Sequence, residues 1–350
     1  MSKLRRSVIF TSATLAVFVL IWFLESMVQD FIAAGMPHGA FIPELYPNLA
    51  LKIEQWGSSG MMDILATIKF RFLIMAGFGW YLFAHTSQAD EAGFSEKKAI
   101  WLVKLFFILQ LLFVPDLLNE LRIRTEWQAL FHPVGLSVLW LGQFPSYAVF
   151  QILAIVLFGL SAWLVLAQWD PDSPFPVLAA LAVWLIWVYL LSVFFGFGKI
   201  DHTYASMFSG MTGMLCFLEI WRRSFSDIGF GFRIFQAFIW GCYFFSGLEK
   251  IFLSGVSWAG SEHFRVLAAL HPGFGADWIS AIPFSNGLLW LALLFQIGSA
   301  LQWKFPKWGY INAAGGLLFH IGTWFLFGIG GLFHPWIVML VFLWPHTARR

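Results

Sequence analysis

The stretch that decides the fold is residues 231–253, GFRIFQAFIWGCYFFSGLEKIFL. After Arg233 it carries no charge until Glu249 and Lys250. A bilayer's hydrocarbon core is crossed by about 20 consecutive apolar residues, and this run meets that length. A charge at the edge of hydrocarbon is costly and rare, so it marks a functional-site hypothesis by default. Glu249 and Lys250 are neighbours in sequence, about 100° apart around a helix, and cannot neutralise each other directly. Each is expected to need a partner from another segment, which implies a polar pocket between helices.

Composition extends this reading to the whole chain. Its 350 residues are 59% hydrophobic, 19% aromatic and 11% charged, with a mean hydropathy of +0.75. Soluble domains carry about 25% charged residues, so the expected solvent is a lipid bilayer. The expected fold is all-α, a polytopic transmembrane helix bundle forming one integral membrane domain over residues 1–350. A net charge of +2, and no basic run longer than Lys3-Leu4-Arg5-Arg6, exclude a nucleic-acid partner. Cys216 and Cys242 lie in apolar runs without CxxC spacing and read as small core residues. The basic start followed by residues 8–23 resembles a signal peptide, but no small-residue cleavage site precedes Glu25, so a retained first span is expected.

Ten windows are apolar enough to be spans or nearly so: 7–29, 64–84, 100–118, 147–168, 177–195, 203–221, 230–253, 286–303, 309–327 and 332–345. Lys69 and Arg71 interrupt the second and the last is short, which gives eight to ten helices. Cytoplasmic loops carry the excess Lys and Arg. With ten alternating spans, Lys3/Arg5/Arg6, Lys97/Lys98, Arg222/Arg223, Lys304/Lys307 and Arg349/Arg350 fall on one side. The expectation is a multi-pass cell-membrane protein with both termini cytoplasmic. Arg122 and Arg124 count against it, accompanied by Glu120 and Glu126.

That orientation turns the loops 196–202 and 254–283 outward, with the end of the span bearing Lys250. Lys250, His202, His263, His271, His320 and His334 are then expected to converge on one outward-facing pocket. Within the longer loop, Phe264, Leu267 and Ala268 stand at i, i+3, i+4 spacing and predict a short amphipathic helix over 262–270, lying across the outer mouth.

Each chemical candidate has a plainer reading beside it. A desolvated lysine can shed its proton and act as a general base; Lys250 equally reads as a snorkelling lysine whose stem alone is buried. His202 follows a loop with Gly196 and Gly198 and can shuttle protons, or it is interfacial beside a helix capped by Asp201 or Thr203. His320 lies inside a span and needs a polar partner, which an interhelical hydrogen bond supplies. No HExxH and no pair of histidines on facing spans is present, so no metal or haem is expected. No GxSxG nucleophile turn occurs, and Gly328-Ile329-Gly330-Gly331 lacks the lysine of a phosphate loop. The 41 Phe and 20 Trp suit core packing and interfacial belts, and also suit stacking around a flat ring or an isoprenoid tail.

Three segments resemble one family: the HTTM group, the membrane domain of vitamin K-dependent gamma-glutamyl carboxylase and its bacterial relatives. Cys242-Tyr243-Phe244-Phe245-Ser246-Gly247-Leu248-Glu249-Lys250-Ile251, with Trp258 shortly after, is similar to the family's aromatic-small-Gly run ending in lysine. Asp201-His202-Thr203-Tyr204 is similar to its Asn-His-Ser/Thr-Tyr stretch. Phe319-His320, then Phe327-Gly328-Ile329-Gly330 and Phe333, is similar to its histidine followed by Phe-x-Ile-Gly. The resemblance covers residues 196–345.

It implies a catalytic site in which Lys250 is the base that deprotonates a reduced, vitamin K-like quinone, with His202 and His320 assisting. Tyr243, Glu249, Trp258 and His334 become substrate-pocket candidates. In the family this chemistry couples quinol oxygenation to carboxylation of a peptide glutamate. Glu249 departs from the pair of lysines that carboxylases often have, and no lumenal domain follows the membrane part, so carboxylation of a protein glutamate is not expected. Two functions follow: a quinol-dependent oxygenase or carboxylase-type enzyme, or a non-catalytic scaffold acting in maturation, export or immunity toward a secreted peptide or partner. A transporter would show symmetry between halves, and none is evident.

Overall fold

A computed structural model describes residues 96–131, 141, 143–169, 173–197, 204–225, 228–270, 273, 275, 286–328 and 340–344, with scattered positions among 8–22 and at 73 and 77. The described residues are helical and contain no strand, which is the all-α bundle expected. The α-helices are α1 (Glu96–Glu126), α2 (Tyr147–Leu166), α3 (Phe175–Phe195), α4 (Tyr204–Phe225), α5 (Ile228–Ser254), α6 (Ser261–Leu270), α7 (Gly287–Gly298), α8 (Leu301–Lys304) and α9 (Trp308–Phe327). Short 3-10 turns occupy Gln128–Leu130, Gly255–Ala259 and Leu340–Leu343. Most of the expected window 7–29, and all of 64–84 but positions 73 and 77, lie outside the described residues.

Among the described residues, four helices are long and apolar enough to cross a membrane: Ile100–Glu126, Tyr147–Leu166, Phe175–Phe194 and Trp308–Phe327. Their exposed faces carry large apolar side chains, such as Ile152, Ile155 and Leu185; water penalises such faces and lipid does not. The window 286–303 differs from expectation. Its regular helix stops at Gly298, and the chain tightens into three-residue hydrogen bonds, Ser299 N–H to Gln296 O and Gln302 N–H to Ser299 O, before α8. α7 alone, at about 18 Å, is too short to span about 30 Å of hydrocarbon.

The chain divides into two compact units, one formed by 1–90, 113–159 and 182–209, the other by 91–112, 160–181 and 210–350. In the first, aromatic rings do most of the packing. Trp187 stacks on Phe208 at 4.9 Å, and Phe131, Phe144 and Phe197 meet one another at 5.3–5.7 Å. A Cβ at Gly196 would fall 2.1 Å from the Phe131 ring, so this corner admits only glycine. Arg124 extends its guanidinium over Phe194 (4.6 Å) and Phe197 (5.1 Å) while pairing with Glu120 at 2.7 Å. This i, i+4 pair explains why α1 runs on past the apolar window 100–118.

In the second unit the helices are stitched by polar groups. Buried Gln110 of α1 donates to the Ser161 hydroxyl at 2.6 Å, and the Lys104 ammonium binds the Ala167 carbonyl at 2.9 Å, just past the end of α2. That placement complements the negative end of the helix dipole. α5 lies antiparallel to α7, since Gly247 meets Gln296 and Ile297 whereas the earlier Trp240 carbonyl accepts from Ser299 Oγ at 2.9 Å. A Cβ on Gly247 would stand 2.9 Å from Gln296 Cβ and 3.3 Å from the Ile297 nitrogen. Gly247→Val is therefore expected to cost about 1–3 kcal/mol through overpacking. A lower unfolding midpoint in detergent checks this; an unchanged midpoint would show that the two helices do not touch there.

A buried amide network closes the far end of this unit. Asn312 of α9 donates to Ser299 O (2.8 Å) and to Gln302 Oε1 (2.7 Å). Gln302 in turn donates to Leu343 O at 2.7 Å, and Gln236 of α5 donates to Phe342 O at 2.7 Å. The 3-10 segment thus has carbonyls bonded to side chains. Irregular backbone at membrane depth is tolerated only when protein satisfies it in this way.

Candidate functional site

The site grows from one face of α5. Tyr243, Ser246, Gly247 and Lys250 stand at i, i+3, i+4 and i+7, a spacing that aligns them along one stripe of the helix. Gly247 lets α7 approach, and that approach brings Phe295 against the Tyr243 ring at 5.1 Å, edge to face. α9 adds Phe319 at 6.4 Å and His320 at 5.9 Å from the same ring. Inside this aromatic box the Tyr243 hydroxyl shares a hydrogen bond of 2.8 Å with His320 Nε2. A buried phenol and a half-buried imidazole are therefore held in proton-transfer geometry by three helices.

About two turns further along, some 10 Å up the axis, stands Lys250. Its ammonium donates to the Ser246 hydroxyl at 2.7 Å and to the Ser246 carbonyl at 3.2 Å. It also lies over the Trp258 ring, 5.2 Å from the centroid. Trp258 can fold back because α5 ends at Ser254 and the next residue, Gly255, has a φ of 60°, a left-handed conformation that glycine adopts without a Cβ penalty. The same indole meets the His263 ring at 5.3 Å. Ammonium and imidazole thus share one aromatic surface.

The amphipathic stripe at Phe264, Leu267 and Ala268 forms the expected helix, here α6. Phe264 and Ala268 are buried with Ala259, Leu289, Leu326 and Phe327, and Trp258 and Leu267 pack against that cluster. α6 therefore sits at the start of α7 and the end of α9, beside Lys250. Two loop glycines complete the closure: Gly273 and Gly275 donate to Leu326 O (3.1 Å) and Phe325 O (3.0 Å). A Cβ on Gly273 would lie 2.4 Å from Phe325 O.

Of the residues named from sequence, Tyr243 and His320 meet directly, and Lys250 meets Trp258. Glu249 is exposed and stands off the stripe. His202, His271 and His334 lie outside the described residues. Lys250 takes its partner from another segment in Trp258, of the turn Gly255–Ala259, and Ser246, one turn back on its own helix, supplies two acceptors as well. Ser246, Phe295 and Phe319 were not singled out as site residues from sequence. The i−4 position of Ser246 relative to Lys250 was the available signal for the first. Nothing local marks the two phenylalanines among so many.

Tyr243→Phe is expected to keep the ring packing and remove the hydroxyl, and with it the 2.8 Å hydrogen bond to His320 Nε2. The cost is about 1–2 kcal/mol, read as a lower unfolding midpoint in detergent; a raised midpoint would mean that the hydrogen bond is not made. In comparisons with known proteins, no family model, no curated protein and no solved structure matches this chain.

Proposed function

We propose that the α5 stripe is an enzyme site for a lipid-soluble reduced quinone, with Lys250 as the base and the Tyr243–His320 pair as the proton relay. The observation that carries this reading is the juxtaposition on one helix face of an amine and a phenol–imidazole pair, each walled by aromatic rings. A flat, apolar ring with two hydroxyls matches that arrangement: the ring packs on aromatic edges while its hydroxyls meet basic nitrogen. With Lys250 Nζ unprotonated, it takes the proton of one ring hydroxyl; the quinolate then passes two electrons to dioxygen, and this proton and that of the second hydroxyl follow, leaving quinone and hydrogen peroxide. The likeness to the HTTM group and its carboxylase relatives supports the same assignment. By that likeness the site faces away from the cytoplasm.

The test is oxidation of a reduced quinone by purified full-length protein in nanodiscs under oxygen, followed by absorbance. The reading predicts turnover above empty discs that falls to background when Lys250 is replaced by alanine. Equal turnover in both removes the proposed role of Lys250.

One observation favours a second reading. Both hydrogen bonds of the Lys250 ammonium go to Ser246 on its own helix, which suits a lysine that merely finishes α5. The protein is then a non-catalytic scaffold of the same kind, acting on a secreted peptide or partner. Exposed Glu262 and Arg265 on α6 offer such a partner a polar surface.

A further inference from the structure

We propose a second binding site, in the first unit, for the head of an uncharged, oxygen-bearing bilayer lipid. A cavity of about 640 Å³ opens where the chain enters α2 and faces α3, lined among others by Gln143, Phe144, Pro145, Ser146, Val149 and Tyr189. That size falls within the range of small-molecule sites, roughly 300–1,000 Å³. Its wall is fixed before any ligand arrives. The Phe144 ring is held by Phe131, Phe150 and Phe197 at 5.3, 5.4 and 5.7 Å.

The chemistry of the lining selects the class of ligand. One amide and two hydroxyls, from Gln143, Ser146 and Tyr189, supply hydrogen bonds, and no charged side chain is among the described lining residues. The nearby guanidinium of Arg124 is engaged by Glu120 and by the faces of Phe194 and Phe197. A phosphate or an ammonium seated there would find no counter-charge among the described lining residues, so nothing in that lining favours it over an uncharged head. A polyol or glycerol head loses little, because hydroxyls and an amide replace its water hydrogen bonds.

The surroundings select a lipid over a soluble molecule. From Val149 at the cavity, Ile152 and Val156 continue along α2 at i, i+3 and i+7, all exposed. Leu185, one turn from Tyr189 on α3, is exposed as well. An apolar track therefore leads out of the cavity along two helices long and apolar enough to span a membrane. A head group seated in the cavity places its chains on that track.

The experiment uses full-length protein in nanodiscs with photoactivatable lipids: a diacylglycerol, a neutral glycolipid and an anionic phosphatidylglycerol, each mapped by peptide mass spectrometry. Labelling of segment 141–156 and the peptide holding Tyr189 by the neutral probes is expected, above that by the anionic probe. Which of the two neutral probes labels more strongly identifies the head group. The Ser146→Ala, Tyr189→Phe pair should reduce that capture by at least about fivefold, the effect of losing one hydrogen bond. Val149→Trp, which fills the cavity from its rim, should abolish capture while leaving anionic labelling of the outer helix faces unchanged. Equal labelling by the anionic probe, or neutral labelling that neither variant alters, would overturn the proposal.

Discussion

Lys250→Ala is expected to lower quinol oxidation by about 10²- to 10⁴-fold, the usual worth of a positioned general base. Alanine removes the nitrogen and leaves Ser246 and Trp258 facing each other without it. That variant alone does not separate chemistry from structure, since a lysine that only completes a helix end is also lost. Lys250→Arg separates them. Arginine keeps a positive charge over Trp258, stacks on aromatic faces at least as well, and can still donate to Ser246. A guanidinium does not deprotonate in a protein, so it cannot serve as a base. The enzymatic reading predicts that Lys250→Arg restores the unfolding midpoint but not turnover, measured side by side in nanodiscs. The scaffold reading predicts that arginine restores everything measurable.

Gln302→Leu is expected to be the most destabilising single change among those considered, at about 2–4 kcal/mol. Its amide sits in the middle of a chain of hydrogen bonds, donating to Leu343 O at 2.7 Å and accepting from Asn312 at 2.7 Å. Leucine matches the volume but orphans the Leu343 carbonyl and leaves the Asn312 amide only its bond to Ser299 O, in a buried place. An average interhelical hydrogen bond in a membrane is worth only about 0.6 kcal/mol. The difference lies in what is left behind, because Leu343 belongs to a 3-10 turn and Gln302 supplies its carbonyl with a donor from another segment. Gln302→Glu keeps an acceptor for Asn312 but sets a buried carboxylate oxygen against the Leu343 carbonyl, so a loss comparable with leucine's is expected. Denaturation in mixed detergent micelles measures both; a leucine variant as stable as the parent would show that the network is not formed.

Much of the fold was legible because lipid imposes a simple rule: long apolar runs become helices. The windows 147–168, 177–195 and 309–327 became α2, α3 and α9 nearly as drawn. The stripe Phe264, Leu267, Ala268 became α6 because its spacing places all three on one side. Hydropathy read the window 286–303 as one rod. It is α7 and α8 joined by a tight turn, because Ser299 bonds back to Trp240 and Gln296 and so takes part in the packing of α5. The signal was present, since Gln296, Ser299 and Gln302 recur at every third position and polar residues in apolar helices turn toward protein.

At the site, Lys250, Tyr243, Trp258 and His320 stood out as polar or amphipathic groups in apolar surroundings. Their pairing did not. That Tyr243 meets His320 depends on Gly247 admitting α7 and on the register between α5 and α9, and no local pattern encodes either. The Ser246 contact of Lys250 was missed for a related reason: a lysine stem is long enough to reach back one turn, beside its contact with Trp258.

Photo-labelling with an azido-quinone tests the central claim most directly. If the α5 stripe holds the ring, the label maps to peptides carrying Tyr243, Trp258, Phe295 and the Phe319-His320 pair, and excess reduced quinone competes it away. Label confined to the lipid-facing residues of α2 and α3, or label that excess quinone does not displace, would contradict the account.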